Sequence, residues 1–243
     1  MVYIFCRFFN GLGYSYSYKQ KVFAPFYLTR GLAFFKSKEE RREGRKNIMK
    51  KIGKEGNYVK DLNELRHTEG KRFNAPGSLY SLKETLLFPN METESLKGDK
   101  IILPTDMRGT PALILIFMKA HGLKMSERYR IPFIENFGGS IPVYEVNVLE
   151  LIFLRLLRRF LQANLRQQIE ARRHEHFLCH YGNFYGIKNR LDIHSSMVSH
   201  AFLLDNKGWV RWRCHGYPTG QEIQYLMKCT KDLLLISKEE HKQ

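Results

Sequence analysis

Residues Ser199 to Leu234, SHAFLLDNKGWVRWRCHGYPTGQEIQYLMKCTKDLL, decide how this chain folds. The apolar run Ala201 to Leu204 meets Asp205, then Asn206-Lys207-Gly208, then a strand in which aromatic and basic residues alternate. Asn206-Lys207-Gly208 suits a type I turn closed by a glycine at positive φ, a common hairpin connection. Period-two alternation puts Trp209, Arg211 and Arg213 on one face and Val210, Trp212 and Cys214 on the other. Gly216 ends the strand, and Glu222 to Leu234 has the spacing of an amphipathic helix. The Trp-Arg strand has two readings: an exposed surface that stacks nucleic-acid bases, or an edge strand with Trp212 in the core.

Upstream, Ala112 to Met118 (ALILIFM) is nearly all apolar and strand-length, as for a strand buried on both faces of a sheet. Met125 to Phe137 has helical spacing, with Pro132 imposing a kink or a division into two shorter helices. Ile141 to Leu149 (IPVYEVNVL) reads as a second strand. Glu150 to Arg173 reads as one long helix. It has Leu154, Leu157, Leu161, Leu165 and Ile169 as its apolar positions and Arg155, Arg158, Arg159, Arg166, Arg172 and Arg173 on its other face. Tyr185 to Ile193 reads as a further helix, and Ile101 to Leu103 as a strand in front of the domain. The order is β, α, β, α, α, β, β, α. With right-handed crossovers it predicts an α/β fold, a thioredoxin-like sandwich with a central mixed sheet and a C-terminal hairpin plus helix. This domain is expected over 86–236, with a polar tail at 237–243.

The N-terminal part is of another kind. Residues 1–38 hold six basic residues, from Arg7 to Lys38, and the first carboxylate is Glu39. A basic, acid-free, hydroxyl-bearing stretch reads as a mitochondrial transit peptide or as a basic arm. Residues 39–85 alternate Lys and Arg with Glu and have few core positions. They read as a charged helical linker ahead of the folded domain.

The 243 residues carry a net charge of +16 with an apolar fraction of 43%. That apolar share supports a core, and no run of about 18 apolar residues makes a membrane-spanning helix. The charge predicts an anionic partner: nucleic acid, an anionic lipid surface or an acidic protein face. The arginine face of 150–173 is the best binding element, since basic amphipathic helices lie on anionic membranes or in partner grooves. Arg155, Arg158, Arg159 and Arg166 are therefore the candidate membrane or partner surface.

Catalytic constellations are not legible. Cys6, Cys179, Cys214 and Cys229 form no CxxC pair, so neither a disulfide framework nor a structural zinc site is indicated. In a redox domain of this fold the reactive thiolate sits at a helix N-terminus after the first central strand. Here that place falls at Lys119-Ala120-His121-Gly122. Ser196-Met197-Val198-Ser199 stands where a proline is expected before the hairpin. His174, His176, Cys179 and His180 are the tightest cluster of potential ligands. His176 and His180 would share a helix face, but Glu175 is out of register for an HExxH site. The sequence thus predicts no enzyme activity, no cofactor and no metal.

Taken together, Phe88-Pro89, Leu96-x-Gly98, Pro132-Phe133, the hairpin residues Asp205, Gly208, Arg211 and Trp212, then Gly216 and the Glu222 to Leu234 helix resemble one family. It is the mitochondrial assembly factor of the F-type ATP synthase proton channel. The likeness spans roughly 60–236. Arg213-Cys214-His215 departs from the small residues that the family pattern places before the glycine. The resemblance implies a thioredoxin-like domain without redox cysteines, peripheral on the matrix side of the mitochondrial inner membrane. It would act as a chaperone for ATP synthase subunit a (Fo sector) and its association with the c ring, with nucleic acid an unlikely partner. The competing expectation is a mitochondrial RNA-binding or ribosome-associated protein; a peroxiredoxin-like enzyme dependent on Cys179 or Cys214 is the weaker third.

Overall fold

The computed structural model describes residues 71–107, 109–150 and 157–240. The transit-peptide reading of 1–38 and most of the 39–85 linker lie outside these residues, as do Cys6 and Arg155. In chain order the strands are β1 (Met91–Ser95), β2 (Lys100–Leu103), β3 (Ala112–Phe117), β4 (Val143–Leu149), β5 (Phe177–Tyr181), β6 (His200–Leu204) and β7 (Val210–His215). The helices are α1 (Ala120–Phe137), α2 (Arg158–Gln168), α3 (Tyr185–Arg190) and α4 (Gly220–Glu240). The seven strands of the described residues form one sheet in the order β2-β1-β5-β4-β3-β6-β7. Its middle, β5-β4-β3, is parallel, and antiparallel hairpins flank it on both sides. This βαβ unit with a terminal antiparallel hairpin and helix is a thioredoxin-like fold.

Every residue of β3 is buried, as its unbroken apolar run predicts. Leu113 and Leu115 face α1 and α4, packing with Tyr129, Phe133, Leu203, Trp212, Leu226 and Leu233. Ile114 and Ile116 face the other layer, with Val146, Val148, Leu178, Phe202, Leu191 and Ile193. Pro132 does not divide α1, which runs unbroken to Phe137 and ends on Gly138 at φ 57°.

Three expectations give way. The helix expected over 150–173 is described from Arg158 and ends at Gln168. Ile169 and Glu170 take extended ψ angles of 136° and 138°. No glycine or proline marks this break. The backbone instead swings so that Arg173 turns inward to a buried carboxylate. Leu157, one of the apolar positions of the expected helix, is 44% exposed. Secondly, His176 and His180 do not share a helix face, because 177–181 is β5, a strand the helical reading concealed. Thirdly, Val210 does not lie on the face of Trp212. A bulge shifts the β6–β7 register so that Leu203 pairs with Trp212 and Leu204 with Val210. The extra residue, Arg211, turns the strand by one position, so Val210 packs in one layer and Trp212 in the other.

Residues 71–88 form an irregular strap along the outer edge of β7. Tyr80 N–H donates to Arg211 C=O (2.8 Å), Val210 N–H to Leu86 C=O (2.9 Å) and Phe88 N–H to Gly208 C=O (3.0 Å). The part of the expected linker nearest the domain is thus packed against it as coil. The opposite edge, β2, has four residues and is closed differently: Asp106 Oδ2 accepts from the outward Ile102 N–H at 2.7 Å. Both devices keep an open ladder from recruiting another strand.

Candidate functional site

The hairpin residues are held by short-range geometry. Asp205 Oδ1 accepts from the N–H groups of Lys207 (3.0 Å) and Trp209 (2.9 Å), an arrangement only a short carboxylate or amide side chain makes across a tight turn. Gly208 has φ 89°, and a Cβ there would lie 2.9 Å from the Pro104 ring. Arg211 donates from Nε to Tyr80 C=O (3.1 Å) and sits 3.5 Å from Asp205 Oδ2. Trp212 is fully buried, and its Nε1 donates to Pro76 C=O at 2.9 Å. Gly216 has φ 70°, and its carbonyl accepts from the Tyr129 hydroxyl at 3.0 Å. All five residues therefore bind the hairpin to itself, to the strap and to α1. Trp212 is in the core, as the edge-strand reading has it; on the arginine face Trp209 is half-buried, Arg211 is tied to Tyr80 and Asp205, and Arg213 is engaged with Asp192 (3.3 Å) and lies over the Phe73 ring.

Thr219 and Glu222 cap α4 reciprocally: Glu222 N–H donates to Thr219 Oγ1 (3.2 Å) and Thr219 N–H to Glu222 Oε2 (2.8 Å). Glu222 also receives Lys71 Nζ (2.6 Å) and Ala75 N–H (3.1 Å) from the strap. Burial alone would raise its pKa, but these bonds outweigh it and hold the carboxyl below its ordinary value.

The place of a redox nucleophile is the start of α1. Gly122 is pressed against the chain there: a Cβ on it would lie 2.9 Å from Phe117 Cβ and 3.5 Å from Ser199 N. The cysteines within the described residues are all free and buried. Burial pushes the Cys179 thiol up to about 12, and those of Cys214 and Cys229 up to about 11. Protonated and enclosed thiols of this kind are poor nucleophiles.

Among the arginines expected as a surface, Arg158 and Arg159 are exposed at the start of α2, flanked by Leu157 and Phe160, 44% and 51% exposed. Arg166 is exposed too, but its Nε donates to Leu96 C=O and ties α2 to the β1–β2 turn. The structure thus leaves basic and apolar side chains exposed together from Leu157 to Phe160 at the start of α2 and sets Arg166 apart. Arg173, expected on that face, points inward with its side chain 10% exposed and clamps Glu145 with Nε–Oε2 at 2.9 Å and Nη2–Oε1 at 2.7 Å. Arg130 Nε lies 3.7 Å from the same carboxylate. A lone glutamate inside IPVYEVNVL was the available signal for this buried cluster.

A second unanticipated group is His194, His200 and His215, with ring centroids 4.5 to 5.9 Å apart. His200 Nε2 bonds Ser195 C=O (3.1 Å), and His215 Nε2 accepts from Arg72 N–H (2.8 Å). Burial, with the neighbouring histidines and cations, drives His200 down to about 3 and His215 down to about 2. Both are neutral in the folded protein, whereas the unfolded chain protonates them below about pH 6.5. Their contribution is complete above that pH and is lost as pH falls towards 3, at about 1.4 kcal/mol per pH unit for each histidine. Urea midpoints measured from pH 7.5 to 4.5 should therefore fall steeply below 6.5. The variant His200→Gln should flatten the slope, and an unchanged slope would remove the histidines from the account.

The fold and this arrangement define a thioredoxin-like domain whose nucleophile position carries no thiol. The model of the family described as ATP10 protein matches residues 19–233. The chain belongs to that family, which is the ATP synthase assembly-factor family the hairpin residues resemble. It is 25% identical to the probable mitochondrial ATPase complex subunit atp10 of Schizosaccharomyces pombe, over 82% of this chain and 71% of that protein. It is 24% identical to the mitochondrial ATPase complex subunit ATP10 of Saccharomyces cerevisiae, over 77% of this chain and 73% of that one. Solved structures of similar shape include a DsbF homologue from Corynebacterium diphtheriae, with 17% identity, a TM-score of 0.42, and coverage of 67% of this chain and 99% of that one. BsSco, of the Sco family of cytochrome c oxidase assembly proteins, has 12% identity, a TM-score of 0.43, and coverage of 63% and 96%. Likeness this distant says nothing about activity. Among the described residues no helix is long and apolar enough to cross a membrane.

Proposed function

We propose that this protein is a non-catalytic chaperone in mitochondrial ATP synthase assembly. It would hold newly made subunit a and aid its association with the c ring, peripherally on the matrix face of the inner membrane. The observation that carries the reading is the family match over 19–233 on a thioredoxin-like domain with Ala120-His121-Gly122 where a thiol would act. Depleting the protein from mitochondria should reduce intact ATP synthase on native gels and leave free F1 sector. Mitochondrial translation should be unchanged, and tagged protein should recover subunit a. Intact synthase with reduced translation would replace this reading by the RNA-binding one.

The membrane contact would be made by Leu157 to Phe160. Exposed aromatic and aliphatic side chains beside arginines suit the boundary of headgroups and acyl chains. Each arginine at an anionic surface contributes about 1 kcal/mol, so Arg158→Gln with Arg159→Gln should weaken binding to cardiolipin-containing vesicles about thirtyfold. Raising the salt should weaken the unmodified protein in the same direction. Flotation that is insensitive to both changes would locate the contact elsewhere.

A further inference from the structure

The N-terminus of α1 has no side-chain cap. Lys119 precedes the helix in an extended conformation (φ −134°, ψ 157°), makes no side-chain capping bond, and no acidic residue occupies the first turn. The bond from Leu123 N–H to Lys119 C=O (3.2 Å) starts the helical ladder. The N–H groups of Ala120, His121 and Gly122 lie ahead of it, at the positive pole of an 18-residue helix. Such orphan donors are ordinarily met by a side chain, water or a ligand.

A second, independent observation points to the same place. Ser199 is completely buried, and its Oγ has no hydrogen-bond partner among the described residues. It precedes β6 on the side that Ala201 and Leu203 present to α1, and its backbone nitrogen is 3.5 Å from where a Gly122 Cβ would be. A buried hydroxyl without a partner calls for an explanation. The surroundings are cationic. Lys119 and Lys124 are exposed, His121 packs edge-on against Tyr217 at 5.7 Å, and from Lys119 onward the first carboxylate is Glu127.

We propose that the start of α1 is a binding site for a phosphate group. The amides of Ala120, His121 and Gly122 would be the donors, Lys119 the charge, and Ser199 a further donor at its base. Helix N-termini hold phosphate because their N–H groups and dipole are aligned before the anion arrives. Thioredoxin-like oxidoreductases use this same pole for a thiolate. Here no thiol occupies it. The phosphate could belong to a phospholipid headgroup or be free in solution, and the chemistry of the site is common to both.

The test uses the full ¹⁵N-labelled chain titrated with inorganic phosphate at constant ionic strength, with sodium chloride as the control. Saturable shifts of the Ala120, His121 and Gly122 amides with phosphate alone are the expected result. Lys119→Glu should weaken binding about tenfold or more, because it places a competing carboxylate at the pole. A carboxylate is favourable beside this helix pole and leaves folding intact, which a melting temperature no lower than that of the unmodified protein would verify. Ser199→Ala should weaken binding severalfold. Vesicles with and without cardiolipin distinguish the sources. Competition by phosphate, and loss of vesicle binding in Lys119→Glu, assign the site to a lipid headgroup. Vesicle binding indifferent to both assigns it to soluble phosphate. Unsaturated shifts equal to those with chloride, or phosphate binding unchanged in Lys119→Glu, would overturn the proposal.

Discussion

Replacing Glu145 by alanine should cost about 3–5 kcal/mol of stability, the usual loss when one partner is removed from a buried ion pair. Glu145 is 2% exposed in the middle of the sheet, between Arg173 in a two-pronged contact and Arg130 at 3.7 Å. Burial pushes its pKa up; the bonds and charge of Arg173, then the charge of Arg130, pull it back only in part. Desolvation therefore outweighs pairing, and the cluster gives little net stability as a set. Deleting one member is another matter, because two guanidinium groups then remain enclosed with too little negative charge. The double change Glu145→Leu with Arg173→Met should recover much of the loss, since an apolar pair of similar volume avoids desolvation. Urea unfolding of the single and double variants measures both effects. A single-variant cost under about 1 kcal/mol would mean that water already reaches the cluster.

The sequence and the structure agree where a local rule decides the backbone. Gly208 takes its positive φ because the turn after Asp205-Asn206-Lys207 requires it, and β3 is buried on both faces as its apolar run predicts. They part where the deciding partner is distant. Nothing near Ile169 announces the end of α2, since the chain turns there to bring Arg173 to Glu145, 28 residues away. With that turn unseen, Phe177 to Tyr181 reads as more helix and β5 disappears into it. Strand β1 is hidden for another reason: Met91-Glu-Thr-Glu-Ser95 alternates correctly, but two of its three inward residues are Thr and Ser. The strap 71–88 has no periodicity to read, because its bonds go to β7 and α4 rather than along itself. Of the expected binding surface, composition alone locates Arg158 and Arg159. Exposure of Leu157 and Phe160 beside them, and the engagement of Arg166 with Leu96, depend on how α2 is seated.

Trp212→Ala should be as damaging as the loss of Glu145, and by two routes at once. The indole is fully buried between the sheet and the α1–α4 layer, so truncation leaves a cavity that costs about 3–5 kcal/mol in a typical core. The indole N–H also holds the strap, through Pro76 C=O at 2.9 Å. Its removal leaves that carbonyl without its partner and loosens residues that also close the β7 edge. Trp212→Phe separates the routes. It keeps most of the packing and loses the hydrogen bond, with a direct cost of about 1 kcal/mol. If the strap is fastened as described, Trp212→Phe should increase tryptic cleavage after Lys71 and Arg72 well before global unfolding. Cleavage there depends on local opening rather than on total stability. Glu222→Gln should act on the same cleavage at the residues just before Pro76, because Lys71 Nζ and Ala75 N–H both bond that carboxylate. Should Trp212→Phe and Glu222→Gln both leave the cleavage rate unchanged, the strap would be held by the β7 ladder alone, and the hairpin tryptophan would matter only for the core.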